Sequence, residues 1–227
     1  MQLAPFFPIF YQILKPAFPN CLWCGDHNSK MVALTFDDGP HPLYTRQLLE
    51  VLDRYKIKAS FFWLGACVNR SPEIAQEVYS RGHWIGLHGY DHQNFPMLSP
   101  WELQHSLEKT LTAIYNACQL QPEQVRDVRP PNGLFTPETL KLLRQWSYRP
   151  VMWSVVPEDW ALPGTYTVVQ RVLKQVRGGS LIVLHDGTHG GQDVAITTQT
   201  LIPQLLELGY QFVTVDTLWQ QVRFEIT

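Results

Sequence analysis

From residue 31 onward, short apolar runs alternate with stretches whose apolar residues recur at three-and-four spacing. Runs rich in branched and aromatic residues at 31–36, 59–65, 83–89, 127–130, 150–156, 180–185 and 211–215 read as strands. Between them, Leu48, Leu49, Leu52 and Tyr55 form one stripe and Leu103, Leu107, Leu111 and Ile114 another, the period of a helix that buries one face. Ser71-Pro72, Ser99-Pro100 and Thr136-Pro137 each put a hydroxyl at an N-cap and proline at the first helical position. Glu102 completes a capping box with Ser99.

Strands alternating with helices predict a parallel sheet, because parallel neighbours need a crossover and the crossover helix covers the sheet. No linker, repeat or low-complexity segment divides the run, so 31–227 reads as one α/β domain, either an irregular barrel or an open doubly wound sheet. Both architectures bind ligands at the carboxyl ends of their strands.

Residues 1–30 stand apart as an N-terminal arm. Residues 3–14 are mostly apolar, but no positive residue precedes them, Pro5 and Pro8 interrupt them, and no Ala-x-Ala site follows before Lys15. A cleavable signal peptide is therefore not expected, and the stretch is shorter than the about 20 residues of a membrane span. The arm is expected to pack on the barrel or to lie at a membrane surface, which favours a cytoplasmic or membrane-peripheral location.

Composition narrows the function classes. A hydrophobic content of 45% with 12% aromatics is enough for a sizeable core, and a net charge of -2 without any basic run excludes a nucleic-acid partner. Four cysteines in 227 residues are no disulfide framework. Cys21 and Cys24 form a CxxC near His27, with no second CxxC and no surrounding strand-helix unit, and read as reduced thiols of the arm. Cys67 and Cys118 read as small buried hydrophobes.

The chemistry lies at the strand ends. The first strand ends in Thr35-Phe36-Asp37-Asp38-Gly39-Pro40 and the third in His88-Gly89-Tyr90-Asp91-His92. Taken singly, these are an Asx-rich turn and a pair of surface histidines. Taken together, one carboxylate and two imidazoles are the three protein ligands of an open, catalytic zinc site, a donor set that cobalt, nickel or iron also accepts. The fourth strand leads to Arg129-Pro130-Pro131-Asn132-Gly133, the fifth to Pro157-Glu158-Asp159-Trp160, and the sixth to Leu184-His185-Asp186-Gly187. Singly, Arg129 is a surface ion pair, Asp159 a cap and His185 a core histidine; at five successive strand ends the segments read as one site. There is no GxSxG elbow and no GxxxxGK[ST] loop, and the Asp-Asp-Gly sequence lacks the Asp-x-Asp spacing of a phosphoaspartate enzyme.

The ordered segments TFDDGP, HGYDH, RPPNG, PEDW and LIVLHDG resemble the five motifs of the NodB-type polysaccharide deacetylases, carbohydrate esterase family four, over roughly residues 31–220. The resemblance implies a distorted seven-stranded (β/α) barrel of parallel strands and metal-dependent removal of an acetyl group from a sugar. It makes Asp38, His88 and His92 the metal ligands, Asp37 the general base and Arg129 the cation that keeps it ionised. It places the backbone N–H of Asn132 at the oxyanion, and makes His185 the general acid, held by Asp159. Trp160 and Val183 become the apolar wall around the acetyl methyl. Three positions depart from the family pattern: Gly89 where Ser or Thr is usual, Asn132 where an aromatic is usual, and Val156 where another Asp is usual.

These residues predict a zinc-dependent hydrolase that deacetylates N-acetylated amino sugars in oligo- or polysaccharides. Two other readings stand beside it: a deacetylase or amidase for a small or lipid-linked substrate, and a catalytically silent carbohydrate-binding protein.

Overall fold

The computed structural model describes residues 4–120 and 124–222. Seven parallel strands run β1 (Met31–Asp37), β2 (Ser60–Trp63), β3 (Trp84–Leu87), β4 (Asp127–Val128), β5 (Arg149–Pro150), β6 (Leu181–His185) and β7 (Gln211–Phe212). Helices α1 (Phe7–Ala17), α2 (Tyr44–Arg54), α3 (Gly65–Arg70), α4 (Pro72–Ser80), α5 (Pro100–Cys118), α6 (Pro137–Gln145), α7 (Thr165–Gln175), α8 (Val194–Glu207) and α9 (Val215–Gln221) precede, connect and follow them. The spatial order is β5-β4-β3-β2-β1-β6, and β7 pairs with the start of β1. β1 is buried almost throughout, with Leu34 and Phe36 packed among helix residues and Ala33 among Leu22, Phe62, Val151 and Leu181.

All seven expected strands form, but most are shorter than the apolar runs, for identifiable reasons. Gly65 already opens α3, so β2 stops at Trp63. Pro130 has no N–H to donate, and β4 ends before it. The run 150–156 divides because the arm inserts beside it: Leu22 N–H donates to Pro150 O at 2.9 Å and Met152 N–H to Leu22 O at 2.8 Å. Beyond that insertion the same run turns toward β6, where Val155 N–H donates to Leu181 O at 3.0 Å and Val183 N–H to Val155 O at 3.0 Å. A single bridge between Val155 and Ile182 thus joins the β5 side to β6, giving the distorted barrel.

The helices bury the stripes that the sequence marks. Leu48, Leu49 and Leu52 of α2 and Leu103, Leu107 and Ile114 of α5 are buried in the main core with Phe36, Phe61 and Trp63. Ser99 forms its capping box with Glu102. Ser71 makes no side-chain cap, whereas Thr136 forms a box with Thr139 that the sequence reading did not include. Thr136 Oγ1 accepts the Thr139 N–H at 3.0 Å, so Thr136→Ala is expected to cost about 1 kcal/mol, read as a lower midpoint in urea unfolding with an unchanged slope.

The arm is folded against the domain. Phe7, Tyr11 and Leu14 of α1 pack in a second apolar cluster with Trp23, Trp153, Val156 and Val183. Phe6, Ile9, Phe10 and Ile13 lie exposed on the helix's other face. Among the described residues no helix is long and apolar enough to cross a membrane.

Candidate active site

Register places the site before any side chain is considered. Asp37 on β1 pairs with His185 on β6, His88 follows β3 with its N–H on Trp63 O, and Arg129 follows β4 with its N–H on Leu87 O. Strands β4, β3, β1 and β6 therefore deliver four chemical groups to one end of the sheet.

Asp37 is buried and meets the guanidinium of Arg129, with Nη1 donating to Oδ1 at 2.6 Å. Arg129 is itself buried: Nη1 also reaches Thr35 Oγ1 at 2.8 Å and Nη2 reaches Met152 O at 3.0 Å, while its plane lies on the Phe62 ring. A guanidinium locked at that distance occupies one carboxylate oxygen and fixes which one stays free.

Asp38, His88 and His92 bring one ligand atom each within 4.8 Å of the others, and no other such cluster is found among the described residues. His88 Nε2 lies 3.5 Å and His92 Nε2 3.3 Å from Asp38 Oδ1, a buried oxygen with no hydrogen-bond donor. The Arg129 carbonyl, 2.7 Å from His88 Nδ1, can only accept, so Nδ1 carries the proton and Nε2 turns its lone pair to Asp38. Burial pushes the His88 pKa down to about 3, outweighing the pull of Asp38, so the ring is neutral as a ligand must be. Two imidazole nitrogens beside one carboxylate oxygen that has no hydrogen-bond donor fit a divalent transition metal.

The loop 88–92 explains the first departure from the family pattern. Gly89 has φ +81°, and a Cβ there would stand 3.2 Å from the Phe95 ring. A hydroxyl still supports the loop, but from α5: Ser106 Oγ accepts the Tyr90 N–H at 2.9 Å. The N–H groups of Gly65 and Ala66 at the start of α3 hold Gly89 O and Tyr90 O at 3.1 and 2.9 Å. Asp38 and His92 both have positive φ, at 71° and 64°, which turns their side chains back into the site.

His185 faces the trio from β6. Asp159 Oδ1 accepts from its Nδ1 at 2.8 Å, and Asp159 Oδ2 accepts from its backbone N–H at 2.7 Å, so one carboxylate orients both main chain and ring. Burial opposes a charge on His185, but Asp159, with Asp38 and Asp37 behind it, prevails and raises the pKa to about 9. Trp160 stands edge-on to this imidazole, 5.0 Å between ring centres. Asn132 has φ 56°, a left-handed conformation that asparagine adopts more readily than most residues, and its side chain donates to Asn94 Oδ1 at 2.7 Å. Val183 and Val156 are buried with Trp153 in the apolar cluster behind the site.

Two contributors went unrecognised in the sequence. Asp186 is fully buried, accepts the Thr45 hydroxyl at 2.5 Å, and is pushed up to about 7 by burial. Ser106 has no signal in the chain, since only folding brings α5 under Tyr90. The CxxC cysteines are both free: Cys24 Sγ accepts from Tyr11 at 3.1 Å and Lys15 at 3.0 Å, and burial pushes the Cys21 thiol up to about 12. Cys118 is buried as expected, whereas Cys67 is only partly so and accepts from Arg70 at 3.1 Å.

Residues 25–151 match the family model described as polysaccharide deacetylase. The chain belongs to the polysaccharide deacetylase family. It is similar to a peptidoglycan-N-acetylglucosamine deacetylase of Bacillus cereus, 34% identical over 201 residues that span 86% of this chain and 91% of the relative. A chitooligosaccharide deacetylase of Bradyrhizobium sp. is 33% identical over 195 residues, 81% of this chain and 88% of that one. Among solved structures, a peptidoglycan N-acetylglucosamine deacetylase superposes with a TM-score of 0.83 at 30% identity, covering 88% of this chain and 92% of its own. As a member of the deacetylase family, the chain carries its α/β parallel-sheet fold.

Proposed function

We propose that this family member is a metal-dependent deacetylase of N-acetylated amino sugars. The observation that carries the reading is the convergence of the Asp37–Arg129 pair, the Asp38, His88 and His92 trio and the His185–Asp159 pair at adjacent strand ends. The relatives, named for peptidoglycan and chitooligosaccharide deacetylation, support acetylated glycans as the substrate class.

Asp38, His88 and His92 would hold the ion, with zinc the best chemical match and cobalt, nickel or iron acceptable. When bound, such an ion supplies Lewis-acid chemistry, polarising an acyl carbonyl and acidifying water. Asp37 takes a proton from the attacking water through the oxygen that Arg129 leaves free. The Asn132 N–H meets the negative charge that develops on the acyl oxygen. His185 Nε2 then gives its proton to the departing amine as the C–N bond breaks, and acetate and a free amino sugar leave. Trp160 borders the methyl group and offers a flat face to a pyranose ring, with Val183 behind it.

The test is acetate release from a panel of acetylated amino sugars by zinc-reconstituted wild type beside Asp37→Asn. Release by the wild type alone establishes the chemistry, and release by neither, at full metal occupancy, sinks it. A catalytically silent sugar-binding role has little support, since base, three ligands and acid are all in place.

The pH profile tests the acid separately. His185 donates only while protonated, so the rate falls as pH rises through its pKa, which Asp159 raises. Asp159→Asn is expected to move the upper limb of kcat/KM down by roughly 1 to 3 pH units. An unmoved limb would remove Asp159 from this role.

A lipid-linked acetylated sugar is a second reading, favoured by one observation: the exposed stripe Phe6, Ile9, Phe10 and Ile13 belongs to a helix whose Phe7 touches Trp160. A peripheral membrane location goes with it, and flotation of the protein with phospholipid vesicles tests both together.

A further inference from the structure

Helix α1 precedes the residues matched to the family model, which begin at 25, yet one of its side chains reaches the site. Phe7 sits between two tryptophans, its ring centre 5.3 Å from Trp153 and 6.2 Å from Trp160, edge-on to both. Each tryptophan supports one side of the acyl position. Trp160 stands against His185. Trp153 lies under Gly133, where an added Cβ would come within 2.7 Å of its Nε1, so the loop that carries Asn132 rests on the indole. Phe7 therefore joins the acid side of the pocket to the oxyanion side through direct ring contacts.

The helix that presents Phe7 is itself anchored. Tyr11 is buried one turn further on and donates to Cys24 Sγ, and Lys15 a turn beyond donates to the same sulfur. Trp23, 5.6 Å from Trp153, donates to Phe18 O at 2.9 Å and ties the end of the arm to the same stack. The Trp160 ring has no such anchor: it is 37% exposed, and its ring partners among the described residues are Phe7 and His185. With Phe7 removed, the indole gains room to swing away from the imidazole.

We propose that Phe7 is a positioning residue of the acyl pocket. It holds Trp160 against His185 and Trp153 beneath the Asn132 loop, so that an arm outside the family match sets the pocket's width and its preference for acetyl over longer acyl groups. The proposal rests on the reading that Trp160 and Asn132 border the reacting acyl group.

The experiment compares wild type, Phe7→Ala, Phe7→Leu, Trp160→Ala and the Phe7→Ala/Trp160→Ala double variant on N-acetyl and N-propionyl versions of one amino-sugar oligomer. Phe7→Ala is expected to raise the propionyl-to-acetyl ratio of kcat/KM about tenfold, the discrimination that one methylene provides in a fitted pocket. Phe7→Leu falls between it and wild type, and if Phe7→Ala fails to fold, Phe7→Leu carries the test with a smaller change in the same direction. The double variant changes the ratio by less than the two single changes combined, because part of the Phe7 effect passes through the Trp160 ring. Gln12→Ala, at an exposed position of the same helix, leaves the ratio unchanged. An unchanged ratio in folded Phe7 variants, or strictly additive effects in the double variant, overturns the proposal.

A second readout does not need turnover. The ring-proton NMR resonances of His185 lie beside the Trp160 indole and should move in Phe7→Ala and return partway in Phe7→Leu. If wild type hydrolyses neither substrate, the deacetylase reading fails on its own, and these resonances decide for Phe7: movement supports positioning, and none overturns it.

Discussion

Asp37→Asn is expected to lower kcat/KM for acetate release by about 100- to 10,000-fold while the protein keeps its metal. Asparagine has nearly the shape of aspartate, and its oxygen can still accept from Arg129 Nη1, which now stands 2.6 Å from Asp37 Oδ1. What it cannot do is take a proton. The substitution also leaves Arg129 without its counter-charge in a buried position, so some stability is lost, and melting temperature must be recorded beside activity. Asp38→Asn is the informative comparison, since Asp38 contributes its oxygen to the trio. It should lose activity together with bound metal, whereas Asp37→Asn should lose activity alone. Metal content by mass spectrometry separates the two adjacent carboxylates, and loss of metal in both would contradict the assignment of Asp37 as base.

The largest expected loss of stability lies at the other end of the sheet. Asp127, at the start of β4, is fully buried and accepts four hydrogen bonds: from Arg149 Nε at 2.9 Å and Nη2 at 3.0 Å, Trp84 Nε1 at 2.6 Å and Trp219 Nε1 at 2.9 Å. It ties β3, β4, β5 and α9 together through one side chain. Asp127→Ala strands two partly buried indole donors and a guanidinium, a defect that costs about 3 to 5 kcal/mol; the lower end applies because all three partners are partly exposed. Asp127→Asn should be little better, because its amide would present hydrogens to donors. Urea unfolding measures the loss, and kcat at a temperature where the variant is folded should stay near wild type, since Asp127 is remote from the trio. A stability change below about 1 kcal/mol would show that the four contacts are replaced by water.

The contrast between these two residues shows what the chain makes legible before folding. Asp37 sits in a strand-end motif beside Asp38, its distant partner Arg129 stands in another such motif, and the alternation of strand and helix already tells which end of the sheet both occupy. Asp127 gave no such sign, because its partners at 84, 149 and 219 lie far from it along the chain and meet only once the sheet is built. The same holds for Ser106, whose hydroxyl supports the histidine loop from a helix whose periodicity shows only its apolar face. Two strand ends are overrun in the sequence although a glycine or a proline marks them: the expected runs 59–65 and 127–130 continue through Gly65 and Pro130, before which β2 and β4 stop. The break within 150–156 carries no such mark, because the interruption comes from Leu22, about 130 residues earlier and outside the strand pattern altogether.

β1 borrows neighbours from both ends of the chain, with β2 close by in sequence and β6 about 150 residues away. The three residues of the metal trio have all been synthesised by residue 92, whereas the histidine proposed as acid is made only at 185. At about 5 to 20 residues per second on a ribosome, that gap lasts roughly 5 to 20 s. For that interval the growing polypeptide has the groups to hold an ion but no group to release an amine. The residues proposed to hold the ion are thus made first, the groups that orient them, Ser106 and Arg129, follow, and the proposed acid comes last.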